Sequence, residues 1–127
     1  MAISASITLS DTRNYLGSAR DAVLADINAA FSIWGSALAG NANIQVNVNV
    51  SYSISNTLAS ALPRNDTNLG SVGGRTMYES AIAHELRTGY SSNGTSSDLT
   101  ININAYNLRY LYIDDNPYDG AGGIASN

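Results

Sequence analysis

Cysteine is missing altogether, and histidine occurs once, at position 84. The first absence excludes disulfide frameworks, thiolate metal sites and cysteine nucleophiles together. The second bears on zinc, because a catalytic zinc takes three protein ligands and keeps an open position for water. One histidine among carboxylates does not make that set, so zinc is not expected in this chain. Lysine is absent too: all six cations are arginines, against eight aspartates and two glutamates, for a net charge of −4. Such a surface has little to offer phosphate backbones or anionic lipid, which reward clustered Lys and Arg. Neither nucleic acid nor membrane is expected as a partner. No apolar run reaches the length of a bilayer span, and Met1-Ala2-Ile3-Ser4 lacks the basic-then-apolar pattern of an N-terminal secretory signal. A lysine-poor, cysteine-free composition rich in Asn, Gly, Ser, Thr and Asp is common among bacterial proteins exported by a C-terminal signal. The expected location is therefore extracellular.

The length of 127 residues suits one domain with its own core. The core is expected over residues 3–113, followed by an acidic, glycine-rich tail at 114–127. Residues 3–9 alternate apolar and polar side chains, the period of a half-buried strand. Ser10, Asp11 and Thr12 offer helix caps. From residue 14 to 38, Leu16, Val23, Ile27, Ala30, Phe31, Trp34 and Leu38 fall on one helical stripe that ends before Gly40. Residues 44–54 alternate without a miss, with Ile44, Val46, Val48, Val50, Tyr52 and Ile54 on one face. A loop rich in Asn, Gly and Ser follows, through Pro63 to Gly73-Gly74, with a short strand at its start over residues 58–62. Thr76 to Glu79 has capping-box spacing, and a short helix continues to Leu86. Residues 99–104 and 108–113 are expected as a strand pair. The fold class is α+β, one long helix packed on a mixed twisted sheet, with Leu16, Val23, Ile27, Phe31 and Trp34 facing Val46, Val48 and Val50.

Chemistry-bearing residues are few. His84-Glu85-Leu86-Arg87-Thr88 has the outline of a zinc-peptidase helix, but Thr88 stands where the second imidazole belongs, one turn on from the first. No Gly-x-Ser-x-Gly elbow surrounds any serine. Asp114, Asp115 and Asp119 concentrate hard oxygen ligands beside Asn116 and loop carbonyls, which makes them candidate calcium ligands.

Glu85-Leu86-Arg87-Thr88-Gly89, Asn93-Gly94, the run from Asp98 to Asn104, and Tyr112-Ile113-Asp114-Asp115-Asn116-Pro117 form a series. It resembles the stretch preceding the zinc-binding helix in secreted bacterial metzincin-type (serralysin- and matrixin-like) zinc peptidases. The long helix with Trp34 and the strand from Ile44 match that group's opening in order and length. The resemblance implies a sheet whose antiparallel edge strand lines a substrate cleft, and assigns Leu99–Asn104 to that edge, with residues 108–113 beside it. The family's next element is the His-Glu-x-x-His-x-x-Gly-x-x-His helix that binds zinc, and no residue here maps onto it. The expected function is the N-terminal, catalytically incomplete part of a secreted zinc-metallopeptidase-like protein, inactive as given. The alternative is a self-assembling extracellular matrix or filament subunit that pairs β-edges through Leu99, Ile101 and Ile103. The expected partner is the chain itself or a further C-terminal segment.

Overall fold

A computed structural model describes residues 3–111, 113 and 117. Strand β1 (Ile3–Ser10) turns its apolar residues inward and its serines and threonine outward, as the alternation requires. The chain then turns around Asp11, whose carboxylate oxygens accept the N–H groups of Tyr15 at 2.8 Å and Leu16 at 2.9 Å. Asn14 and Gly17 both stand at a φ of 53°. That is left-handed backbone, which a helix interior does not accommodate. The helix expected from residue 14 therefore starts later. A short 3-10 turn, Gly17–Ala19, leads into α1 (Arg20–Ala37).

Helix α1 packs along β1 and buries Val23 and Ala29, with Ile27 and Phe31 half-buried against the core. At Gly35 a Cβ would stand 3.0 Å from the Ile3 carbonyl oxygen, so the helix passes close over the start of β1. Beyond that point no further strand lies under the helix among the described residues. Trp34, expected in the core, is 64% exposed for this reason, and Leu38 is exposed with it.

Strand β2 (Ala42–Ser51) is the centre of the molecule. Ile44, Val46 and Val48 are fully buried. Tyr52 and Ile54 lie past its end, 54% and 82% exposed, so the alternating face stops sooner than the pattern suggests. Strand β3 (Ala59–Pro63) falls where a short strand was expected. The loop expected next is instead a hairpin, β4 (Asn65–Val72) and β5 (Arg75–Ser80), forming a separate two-stranded sheet. Its turn is Gly73-Gly74, with φ of 57° and 78°. Two consecutive positive φ values define the tight hairpin turn whose twist matches its strands. Thr76 to Glu79 are thus strand rather than capping box. The cap is Ser80, whose hydroxyl accepts the Ala83 N–H at 3.1 Å to open α2 (Ala81–Thr88). Gly89, at a φ of 76°, closes that helix. Strand β6 (Leu99–Asn104) follows, and then a 3-10 segment, Ala105–Tyr110, takes up the first half of the stretch expected as a strand at 108–113.

The main sheet runs β1-β2-β6-β3. Strands β1, β2 and β6 are parallel, and β3 is antiparallel to β6. The architecture is thus α+β, one long helix on a mixed sheet. The position of β6 corrects the edge assignment. Leu99, Ile101 and Ile103 pair with Val46, Val48 and Val50 on one side and with Pro63, Ala61 and Ala59 on the other. The chain places β3 one strand away from β2 and later fills the slot with β6. The open edge on this side is β3. No helix among the described residues is long and apolar enough to cross a membrane.

Ile44 and Trp34 separate core from overhang. Ile44→Ala is expected to cost about 2–5 kcal/mol, as for a closely packed core site. Trp34→Ala is expected to cost less than half as much, because most of its ring is already in water. Urea midpoints at constant slope measure both.

Candidate functional site

The exposed edge of β3 is the feature that sequence and topology jointly bring forward. Asn104 N–H donates to Leu58 O at 3.0 Å and Arg64 N–H to Asp98 O at 2.9 Å. The alternation of an antiparallel ladder then turns Ser60 and Leu62 toward β6, and the backbone of Ala59, Ala61 and Pro63 outward. The outward edge presents the N–H groups of Ala59 and Ala61 and no donor at Pro63. All five residues of β3 are exposed.

Two asparagines hold β3 in place. Asn104 is buried, and its amide oxygen accepts the N–H groups of Ser53 at 3.0 Å and Tyr106 at 3.2 Å. Its amide nitrogen donates to Ser53 O at 2.9 Å and Thr57 O at 3.0 Å. Asn107, equally buried, donates to Ser55 O and Thr57 O, both at 2.8 Å. The loop between β2 and β3 is thus tied to the end of β6. These residues escaped the sequence reading. The available signal was an Asn in a three-residue step, Asn104 and Asn107, just after an alternating strand. Beside the loop, Tyr52 stacks on Tyr15 at 5.5 Å and meets Tyr106 edge-on at 5.4 Å.

On the α1 face, a groove of about 190 Å³ opens between Val23 and Ile27 of α1, Ile101 and Ile103 of β6, and Leu111 and Ile113. Helix α1 covers β1, so this side of β6 and β3 is only partly roofed. The candidate calcium ligands Asp114, Asp115 and Asp119 lie outside the described residues.

His84 does not gather a metal site. Its Nδ1 lies 3.2 Å from Glu79 Oε2 and 3.5 Å from the Thr67 hydroxyl. Glu79 is already gripped by Arg87, through Nε at 3.0 Å and Nη2 at 2.9 Å. This paired hydrogen bond from the guanidinium, with His84 adding to it, holds the Glu79 carboxyl down at about 2. Glu85 points the other way, into the core, where Oε1 accepts the Asn43 N–H at 2.7 Å. Thr88 donates its hydroxyl to the His84 carbonyl at 2.8 Å. The His84-Glu85 pair is therefore divided between a surface ion pair and a strand brace. No group of three or more His, Cys, Asp or Glu suited to a metal forms among the described residues. The donors around His84 do not fit zinc.

Comparisons with protein-family models, with curated proteins and with solved structures gave no match for this chain.

Glu79 sets a pH dependence. Its folded value, about 2, lies below the ordinary 4.5. Its contribution to stability is complete above the ordinary value and is lost as pH falls from there through about 2. Glu79→Gln is expected to flatten the acid arm of a melting-temperature profile across that window and to leave the slope above pH ~6 unchanged.

Proposed function

We propose that this chain is the N-terminal, substrate-edge part of a metzincin-like zinc-peptidase domain, whose zinc-binding helix belongs to a segment beyond Asn127. The observation that carries this reading is the antiparallel edge strand. Three parallel strands carry one long helix, and β3 runs antiparallel at the side away from β1. The resemblance in sequence implies such an edge beside a cleft, and β3, rather than Leu99–Asn104, is the strand that fills the role.

An extended peptide adds to such an edge by main-chain hydrogen bonds, which secure it without regard to most of its side chains. The N–H groups of Ala59 and Ala61 and the carbonyls of Ala59, Ala61 and Pro63 are the groups that would hold it. Small side chains at 59 and 61 let a second backbone approach. The partly roofed groove between α1 and β6 supports the same reading, since a further helix laid beside α1 would bury the half-buried Ile101 and Leu111. Nothing in the chain supplies the zinc set, so the hydrolytic step is assigned to no residue here.

A second reading rests on the same edge. Leu58 and Leu62 are 40% and 61% exposed beside it, and a second copy could pair there in place of a peptide. Pro63 opposes this, since a proline at an edge shortens the run available for pairing.

The coding sequence downstream of Asn127 decides between them. It is expected to continue into a His-Glu-x-x-His-x-x-Gly-x-x-His segment. In that longer protein Ala61→Pro removes an outward donor and leaves the β6 ladder untouched. It is expected to lower kcat/KM on casein about three- to tenfold at unchanged zinc content. A stop codon directly after Asn127 would overturn the peptidase reading. Sedimentation to oligomers that Ala61→Pro dissolves would then establish the second.

A further inference from the structure

Among the described residues nothing covers the face of the main sheet opposite α1, and the rows on it bear no charge. Ser4, Ser6, Thr8 and Ser10 of β1, Asn43, Gln45, Asn47, Asn49 and Ser51 of β2, and Thr100 and Asn102 of β6 all project there, by the alternation that buries their neighbours. Pairing aligns them in rows across the strands. One row is Thr8, Asn47, Thr100 and Leu62, and the next is Ser10, Asn49, Asn102 and Ser60. Strands about 4.8 Å apart, with side chains about 6.7 Å apart along each, set these groups on a regular grid.

Two features separate this face from an ordinary solvated one. Parallel sheets are normally covered on both sides, whereas these parallel strands are bare on one. Exposed protein surface also normally carries about a quarter or more of charged side chains, and the rows carry none. Their amides and hydroxyls are already mutually oriented. Asn43 Oδ1 accepts from both Ser4 and Ser6 hydroxyls at 3.1 Å, and Asn102 donates to Ser60 Oγ at 3.4 Å while lying 3.5 Å from the Asn49 amide.

At the C-terminal ends of the parallel strands the face runs into a polar groove of about 230 Å³. Its lining includes Ser51, Ser53, Thr57, Ser60 and Asn102. Outside the carboxyl ends of its strands is where an open sheet with parallel strands binds ligands. A ligand for this surface needs many neutral donors and acceptors and an extended form. Phosphate backbones and anionic lipid are ill matched to it, because they require the cations it lacks.

We propose that this face and its terminal groove bind a neutral polysaccharide, with the rows of Asn, Ser and Thr bonding successive sugar hydroxyls. The site lies on the opposite side of the sheet from α1 and uses no outward group of β3, so it stands or falls independently of the peptidase reading.

Co-sedimentation with microcrystalline cellulose, insoluble β-1,3-glucan, chitin and granular starch tests it. At least one of these is expected to retain the protein, and retention is expected to survive about 1 M NaCl, where charge-driven contacts are screened. Thr8→Ala with Asn47→Ala removes row groups and is expected to weaken retention about tenfold, with an unchanged melting temperature. Asn49→Ala with Asn102→Ala is expected to lower it further or comparably. Arg75→Ala, on the hairpin, is expected to leave it unchanged. Failure to bind all four polysaccharides, release by salt, or wild-type retention by the folded Thr8/Asn47 variant would each overturn the proposal.

Discussion

A strand inside a sheet must find partners for its backbone on both sides, and β2 does so with an unusual mixture. On one side β1 pairs with it from Ala42 to Asn49. On the other, β6 begins only at Val46, which leaves the N–H groups of Asn43 and Gln45 in a buried region without a strand beside them. Two carboxylates complete the ladder. Glu85 Oε1 takes Asn43 at 2.7 Å, and Asp98 Oδ2 takes Gln45 at 2.8 Å. An unmet buried donor costs about 1–3 kcal/mol, so these bonds decide whether β2 can be buried along its whole length. Asp98 does more with its backbone, donating to Gln45 O at 2.8 Å and accepting from Arg64 at 2.9 Å. Arg64 O in turn accepts from Ala81 at 2.8 Å. The junction of β3 with β4, the start of α2 and the start of β6 are thereby closed into one circuit around β2.

At the other end of the strands, neutral amides take over. Asn104 uses both its oxygen and its nitrogen on loop backbone, and an aspartate there would lose the donors while gaining a buried charge. Asn107 adds a second pair of bonds, sharing the Thr57 carbonyl and taking that of Ser55. The cause of the β3 edge is therefore side-chain chemistry at the end of β6, well away from β3 itself. Both readings of the edge, peptide addition and pairing of copies, depend on this brace. Neither depends on the His84-Glu85 sequence that first suggests zinc.

How much of this is legible in the sequence follows from what kind of signal each element carries. Strands β1, β2 and β6 announce themselves because one face of each is buried and the other wet, so alternation records burial directly. Helix α1 shows for the same reason, but its start does not. Asp11 and Asn14 build a left-handed turn inside an apparently helical spacing, and Leu16 fills the core from that turn rather than from the helix. The hairpin from Asn65 to Ser80 is hidden because most of both strands is exposed, which erases alternation. Only Gly73-Gly74 marked it, by the positive φ that its turn requires. The neighbours of β6 were invisible for a different reason. Which strand fills a slot is a property of the order in space, and a chain that places β3 first and inserts β6 later looks locally identical to one that leaves β6 at the edge. The open antiparallel edge lies at β3, whereas the resemblance assigns it to Leu99–Asn104, which the sheet places between β2 and β3.

Scarcity of charge ties the edge and the open face together. A free strand edge is ordinarily guarded by lysine, and an open sheet face ordinarily carries ions that keep neighbours away. Here the edge has only Pro63, and the rows of the face carry amides, hydroxyls and Leu62 but no charge. Neither surface repels an approaching neutral chain, and both offer fixed hydrogen-bonding groups at regular spacing. The two differ in what they present: backbone groups at β3, which any extended peptide can match, and side-chain groups on the rows, which demand hydroxyls in register. Hydrogen bonds of either kind gain little in water unless water is excluded around them. On β3 that exclusion falls to small side chains and a close-lying partner backbone, and on the face it falls to the groove. The chemistry that makes these surfaces receptive also makes them selective, since a charged ligand surrenders its hydration at either one and meets no counter-charge in return.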